Sequence, residues 1–153
     1  MNKEELKYGN LIEILTSNTQ FPLPTSRYGT ILEIKEDKVK VRYDYETSDG
    51  FCVFNRRYNT IHPVRINKQI LDELNFEFNS ETELYAFPVI SEFDKVKLHY
   101  HLLSKRIVID GIKLPVQTEY VHQLQNDFYT FKRSQLDCDK LRKQTIKKDK
   151  QWI

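Results

Sequence analysis

The sequence predicts an α+β protein that has an N-terminal small SH3-like β-barrel, a linking helix, and a C-terminal antiparallel sheet covered by one helix. Two regions, residues 8–64 and 83–116, contain short runs rich in aromatic and β-branched residues, which favour strands. From Thr118 onwards the apolar period lengthens from 2 to about 3.6 residues, which indicates a helix. The predicted divisions are residues 1–66 for the barrel, 67–136 for the helix and second sheet, and 137–153 for a basic tail.

The barrel is predicted from five short strands and the turns between them. Apolar residues alternate with charged ones along residues 38–45, which predicts one buried and one exposed face for this strand. Asp49-Gly50 predicts a tight hairpin turn that leads into the next strand at Phe51. After that strand, residues 56–59 are predicted to form a polar turn.

Two helices are predicted after the barrel. The linking helix begins after Asn67, whose side chain can cap it, and it buries Ile70, Leu71 and Leu74. The apolar face of the C-terminal helix consists of Val121, Leu124, Phe128 and Phe131. That face is expected to pack on the second sheet.

The end of the chain carries the most uneven charge. Residues 137–153 contain six Lys or Arg and three Asp or Glu, a net charge of +3, whereas the whole chain has a net charge of +2. A basic tail can bind phosphate groups through the release of counterions, and it can also be merely solvated.

Neither export nor a membrane span is predicted. Residues 1–15 include three glutamates, and no run of 18 apolar residues occurs anywhere in the chain. Cys52 and Cys138 lack the spacing of a metal-binding or redox motif, which favours reduced thiols and a cytoplasmic location.

Residues 120–126, which read YVHQLQN, are the most recognisable string in the chain. This string resembles the C-terminal helix motif of an uncharacterised family of small proteins from bacteroidete genomes and their phages and prophages. Residues 61–76 are also similar to that family, since Pro63, the capped helix and Phe76 stand in the expected positions, with Asn67 replacing the more usual Thr cap.

The resemblance to this family extends from about Tyr8 to Leu136 and leaves out the basic tail. It implies a mobile-element context and a location in the cytoplasm of a bacterial host cell. It implies no particular activity.

The C-terminal helix carries the first candidate site. His122, Asn126 and Tyr129 share one stripe of the predicted helix, and Arg133 lies at its margin. Such a stripe can hydrogen-bond a base edge, a phosphate or a partner loop. In the alternative interpretation, His122 and Asn126 anchor the helix to loop carbonyls of the sheet, and Tyr129 is the exposed contact.

A second candidate site consists of Arg56, Arg57 and Tyr58, next to Lys40 and Arg42 on the exposed face of the neighbouring strand. Small barrels bind nucleic acid by stacking bases on aromatic side chains beside a cationic groove. Acidic residues are interleaved with these cations, so an ordinary solvated face is the alternative.

No metal, other cofactor or catalytic residue is predicted. His99 and His101 would project from one face of a strand, but no third ligand has a suitable spacing. The sequence contains no GxSxG motif, no HExxH motif and no glycine-rich phosphate-binding loop.

The predicted function is therefore non-enzymatic. We expect a phage-type or prophage-type accessory protein that binds an anionic ligand, either nucleic acid or a nucleotide. One alternative is a protein inhibitor or adaptor that binds a host protein, with a counter-defence role, in which aromatic residues supply interface contacts. A second alternative is an enzyme whose site is not recognisable from sequence.

Overall fold

The computed structural model describes residues 3–16, 25–45, 48–89 and 96–146. Within these residues the protein contains two antiparallel sheets and three α-helices, which confirms the α+β prediction. The chain divides into two units: unit 1 comprises Met1–Val64 and Asp139–Ile153, and unit 2 comprises Arg65–Cys138.

Strands account for most of the regular structure. In chain order they are β1 (Leu11–Thr16), β2 (Thr25–Ile34), β3 (Lys38–Asp44), β4 (Phe51–Arg57), β5 (Ile61–His62), β6 (Glu77–Asn79), β7 (Leu84–Ala86), β8 (Leu98–His101), β9 (Arg106–Ile109), β10 (Ile112–Gln117) and β11 (Thr145–Ile146). The helices are α1 (Lys68–Glu73), α2 (Val121–Lys132) and α3 (Asp139–Arg142), and short 3₁₀ turns lie at Lys3–Glu5 and Tyr58–Thr60.

The sheet of unit 1 has the strand order β4-β3-β2-β1-β5, and β11 also pairs with β2. The long strand β2 pairs with β1 along one edge and with both β3 and β11 along the other. The terminal strands of this order, β4 and β5, do not pair with each other in the described residues. The sheet is therefore open, and the predicted SH3-like barrel is not confirmed.

One face of the unit 1 sheet, called the inner face below, carries the apolar core. The buried cluster consists of Leu6, Ile12, Ile14, Ile31, Val39, Val41 and Ile61. Gly29 lies within this face, and a β-carbon there would contact Ile14 and would approach Cγ1 of Val41 to 2.6 Å. Because real β-carbons do not approach other atoms so closely, a side chain at position 29 would displace the core.

Part of the predicted basic tail is structured in unit 1. Leu141 of α3 is 1% exposed, and α3 packs against β2. Immediately afterwards, Thr145 and Ile146 of β11 pair with Arg27 and Ser26 of β2. The sequence gives little indication of this contribution because a four-residue helix and a two-residue strand have no measurable periodicity.

Unit 2 is a five-stranded meander, β10-β9-β8-β7-β6, together with α1 and α2. The predicted cap of the linking helix is present, since the Asn67 side chain accepts a hydrogen bond from the Ile70 N–H at 2.8 Å. Val121, Leu124 and Phe128 of α2 are buried, whereas Phe131 is half-buried. The Phe87 and Phe128 rings stack with their centroids 6.0 Å apart.

We predict that Leu141→Ala destabilises the protein by about 2–4 kcal/mol, because it leaves a cavity in a buried position. Lys140→Ala, at the exposed neighbouring position, is the matched control and should change stability by less than about 0.5 kcal/mol. Urea denaturation followed by circular dichroism measures both. Equal midpoints for the two variants would show that residues 139–146 contribute nothing to the stability of unit 1.

Candidate functional site

The hairpin formed by β3 and β4 determines the positions of the predicted basic cluster. The two strands pair in register from Lys38↔Arg57 to Asp44↔Phe51 without a bulge. Arg56 and Arg57 are therefore the last residues of β4, and the prediction of a polar turn at residues 56–59 is wrong for these two. Because successive side chains of a strand alternate between faces, Arg56 and Arg57 lie on opposite sides of the sheet.

The side of the hairpin opposite the inner face is rich in cations. Cross-strand partners share a face, so the pairs Lys38↔Arg57, Lys40↔Asn55, Arg42↔Val53 and Asp44↔Phe51 project together. Phe51 is 51% exposed on this side. We call the set Lys38, Lys40, Arg42, Phe51 and Arg57 the outer cationic face.

Arg42 is held in place within the outer cationic face. Its guanidinium donates hydrogen bonds to Oδ1 of Asp44 from Nε at 3.1 Å and from Nη2 at 2.9 Å. Its Cζ lies 3.9 Å from the centroid of the Phe51 ring, which is a close cation–π contact. Asp44 thus neutralises Arg42 and orients it on the Phe51 ring.

The other three cations of this face differ from Arg42 in their contacts. Within the part of the chain that the structure describes, Lys38, Lys40 and Arg57 form no ion pair. Glu33 lies opposite Lys40 on β2, but no contact joins the two charged groups. The outer cationic face is therefore a positively charged surface with one exposed aromatic ring.

The inner side of the same hairpin carries a row of arginines and aromatic rings. Arg27 lies over the Tyr43 ring at 5.5 Å, and Arg56 lies over the Phe54 ring at 4.7 Å. The Tyr43 and Phe54 rings themselves meet edge to face, 5.3 Å apart. All four side chains are half-buried, so this row closes one margin of the unit 1 core.

Cys52 connects two tyrosines at this margin. Its thiol hydrogen-bonds the Tyr45 hydroxyl. Hydrogen bonding to Cys52 raises the pKa of both Tyr43 and Tyr45 above the ordinary value of 10, and burial adds to the effect at Tyr43. Both phenols are therefore neutral at physiological pH, and the positive charge of Arg27 and Arg56 is not offset by a tyrosinate.

The Tyr58 side chain is engaged in contacts within the fold. Its hydroxyl donates a hydrogen bond to the Lys35 carbonyl, and the Lys3 ammonium lies 5.8 Å from its ring centroid. Burial raises the pKa of its hydroxyl, with a further contribution from the charge of Asp37. The structure thus separates the predicted trio: Arg57 is exposed, Arg56 lies on the inner side, and Tyr58 fixes the base of the hairpin.

The residues of the first candidate site, on α2, become more exposed along the helix. His122 is 1% exposed and its ring stacks on Tyr120, with the centroids 5.9 Å apart. Asn126 is half-buried, and Tyr129 is 51% exposed. Arg133 ends the helix in the left-handed conformation, with φ of 55°, and its N–H donates to the Tyr129 carbonyl. The four residues therefore do not form one exposed recognition face.

The start of α2 is fixed by a network of polar contacts. The Gln123 side chain accepts hydrogen bonds from the backbone N–H groups of Glu119, at 2.9 Å, and Tyr120, at 3.2 Å. This is the arrangement in which a residue in the first turn caps the chain that enters the helix. With Val121 and Leu124 in the core, most of the YVHQLQN string has an architectural role.

Glu119 joins the entry of α2 to the rest of unit 2. Its carboxylate accepts a hydrogen bond from the Lys105 ammonium at 2.7 Å and lies 3.6 Å from the Arg65 guanidinium. The hydrogen bond from Lys105 is the main reason that the pKa of Glu119 lies below its ordinary value. Beside it, burial raises the pKa of Tyr100, whose hydroxyl donates to the Thr118 carbonyl at 2.6 Å.

The strand histidines do not assemble a metal site among the residues that the structure describes. His99 and His101 lie on the same face of β8, and His101 Nδ1 hydrogen-bonds the Ser104 hydroxyl. No group of three or more His, Cys, Asp or Glu side chains that could hold a metal ion occurs within the described ranges.

Comparisons with protein-family models, curated proteins and solved structures found no match to this chain. The resemblance of residues 120–126 to the bacteroidete and phage family stays a prediction from sequence. None of the described helices is long and apolar enough to cross a membrane.

Sequence reasoning missed Phe51 and the full extent of the outer cationic face. The predicted tight turn at Asp49-Gly50 would have paired Arg57 with Arg42, whereas the structure pairs Tyr45 with Gly50 and therefore Arg57 with Lys38. The two registers differ by an even number of residues, so the turn indicated the correct face for each side chain but not the cross-strand neighbours of Phe51 and Arg57.

We predict that His122→Ala lowers the free energy of unfolding by about 1–3 kcal/mol, because it removes a buried, stacked ring. Tyr129→Ala, at an exposed position of the same helix, should change it by less than about 0.5 kcal/mol. Thermal melts of both variants check this. A His122→Ala midpoint equal to that of the unmodified protein would contradict the anchoring role.

We also predict that Glu119 makes unit 2 sensitive to acid. Because its folded-state pKa lies below the ordinary value of about 4.5, the ionised carboxylate stabilises the fold above that pH. This stabilisation is lost as the pH falls through the folded-state pKa. In urea melts between neutral pH and pH 3, Glu119→Gln should weaken the acid dependence, and Glu77→Gln, at an exposed position of β6, should leave it unchanged.

Proposed function

We propose that this protein is a non-enzymatic binding protein whose ligand is single-stranded nucleic acid, held on the outer cationic face. The observation that carries this proposal is the register of β3 and β4. It puts Lys38, Lys40 and Arg57 on the same side as the exposed ring of Phe51. A cationic surface that tracks a phosphate backbone, next to an aromatic ring on which a base stacks, is the usual composition of single-strand binding sites.

The dimensions of the face favour a polymer over a mononucleotide. Alternate residues of a strand are about 7 Å apart, so the cations from Lys38 to Arg42 extend over roughly 14 Å. The spacing of about 7 Å between neighbouring cations is comparable with the distance between consecutive phosphates along an extended single strand. A stacking contact with Phe51 requires an unpaired base, which favours a single strand over a duplex.

Asp44 contributes to this proposal through Arg42. The ion pair holds the guanidinium over the Phe51 ring, with Cζ 3.9 Å from the ring centroid, and this geometry provides a preformed surface on which a base can stack. Phosphate binding is then the role of the other three cations, which form no ion pair with a carboxylate in the described residues.

The biological setting of the proposal rests on the resemblance of the YVHQLQN string. In that setting the chain is an accessory protein of a phage or prophage and acts in the cytoplasm of a bacterial host cell. The alternative role, as an inhibitor or adaptor that binds a host protein, is favoured by one separate observation: within the described residues, no strand pairs with the second edge of β4.

Binding of a fluorescent oligothymidylate of about 15 nucleotides tests the proposal. Phe51→Ala should weaken binding by about 5- to 150-fold, the loss expected from about 1–3 kcal/mol of stacking. Arg57→Ala should reduce the slope of log affinity against log salt by about 0.7, because one phosphate contact disappears. Fluorescence anisotropy over a series of salt concentrations measures both effects.

The matched control is Lys113→Ala, which removes an exposed cation from β10 in unit 2. It should leave both the affinity and the salt slope unchanged. If Lys113→Ala weakens binding as much as Arg57→Ala, the protein binds nucleic acid through its overall charge. That result, or undiminished binding by Phe51→Ala, would show that the outer cationic face is not the site.

A further inference from the structure

The strand β4 lies at the end of the unit 1 sheet. The sheet order is β4-β3-β2-β1-β5, and β4 pairs with β3 alone. No strand pairs with its second edge within the described ranges. An unpaired edge presents a row of backbone N–H and C=O groups that can accept another strand.

The backbone groups on this free edge can be identified residue by residue. The Tyr45 N–H donates to the Gly50 carbonyl at 3.0 Å, so this pair belongs to the hydrogen-bonded set of the hairpin. Hydrogen-bonded and non-hydrogen-bonded pairs alternate along an antiparallel ladder. The backbone groups that point away from β3 are therefore those of Phe51, Val53, Asn55 and Arg57. Of these, the Arg57 carbonyl already accepts a hydrogen bond from Oγ1 of Thr60 at 2.7 Å and is not open to a new strand.

The other sheet edges are poorer acceptors of a strand. The edge strand β10 contains Pro115, and its pairing with β9 is interrupted by a register shift. At the other edges, β6 has three residues and β5 has two. Proline, bulges, short length and charged side chains are the usual protections of an edge strand. Strand β4 has seven residues, no proline and no bulge, and its charged residues are confined to one end, at Arg56 and Arg57.

The charge around the free edge is positive on both faces. Arg57 projects on the outer side, and Arg56 on the inner side. The strand itself contains no acidic residue, and the one carboxylate of the β3–β4 ladder, Asp44, is already engaged by Arg42. The opposite end of β4 is apolar on both faces, at Phe51, Val53 and Phe54.

We propose that the free edge of β4 binds an extended peptide segment of a partner protein, which adds to the sheet as an antiparallel strand. In this orientation the N-terminal residues of the peptide lie beside Arg56 and Arg57, and its C-terminal residues lie beside Phe51 and Val53. The matching segment therefore begins with acidic residues and continues with β-branched or aromatic ones. Backbone hydrogen bonds supply affinity, and the alternating side chains supply specificity.

Charge decides between this occupant and a second copy of the chain. A second copy has no carboxylate in its β4, and in an antiparallel pair its Phe51 end would lie beside Arg56 and Arg57, so these charges would stay unneutralised. An acidic segment neutralises the same arginines. Strand addition itself depends on the backbone of β4, whereas the preference for an acidic and then apolar segment shares Arg57 and Phe51 with the outer cationic face.

The test uses a fluorescent peptide as long as β4, with two glutamates followed by alternating valine and threonine. Asn55→Pro removes one outward N–H while leaving the hydrogen bonds to β3 intact, and proline is tolerated on the free side of an edge strand. We expect this variant to bind the peptide about tenfold more weakly or worse. Asn55→Ala keeps the N–H and should bind as the unmodified protein does.

A second measurement does not depend on the folding of any variant. Peptides N-methylated at the positions whose N–H groups face β4 should lose binding to the unmodified protein, whereas peptides methylated at the alternate positions should retain it. A peptide with lysines in place of the glutamates should bind at least tenfold more weakly.

Three results would overturn the inference. The first is equal binding by Asn55→Pro and the unmodified protein, and the second is equal loss with both patterns of N-methylation. The third is a concentration-dependent dimer in sedimentation that Asn55→Pro abolishes, together with no peptide binding, because the edge would then be covered by a second copy. Binding of oligothymidylate by Asn55→Pro reports separately on the outer cationic face.

Discussion

The uninterrupted ladder between β3 and β4 is the constraint on which the surface of unit 1 depends. Seven paired residues and the turn between them allow one register only, because a slip of one residue would move Val39 and Val41 out of the core. The same register determines which cations face outwards and which backbone groups remain free. Core packing and surface chemistry are thus set together by one hairpin.

Unit 2 is organised by a different kind of contact. The Phe128 ring of α2 stacks on Phe87, and Gln123 and Glu119 fix the start of α2 through short polar contacts. These contacts explain why a polar string such as YVHQLQN can be distinctive without forming a binding site.

The sequence predicted the fold class, the α1 cap and the buried face of α2, because each is a local pattern with a known period. It did not predict that the first sheet stays open, since closure depends on the pairing of β4 with β5, which no local pattern encodes. The positions of Arg56 and Arg57 on opposite faces could have been derived by counting from Gly50. The burial of Leu141 could not, because it follows from a long-range contact of α3 with β2.

The late pairing of β11 with β2 has a consequence for how the chain folds during synthesis. Unit 2 is continuous in sequence and can form as soon as residues 65–138 have left the ribosome. The N-terminal part of unit 1 is synthesised first. The edge of β2 at Ser26 and Arg27 nevertheless cannot pair with β11 until residues 145 and 146 have been synthesised. Until then the growing chain exposes an incomplete sheet edge, so chaperone binding or mispairing is most expected at that stage.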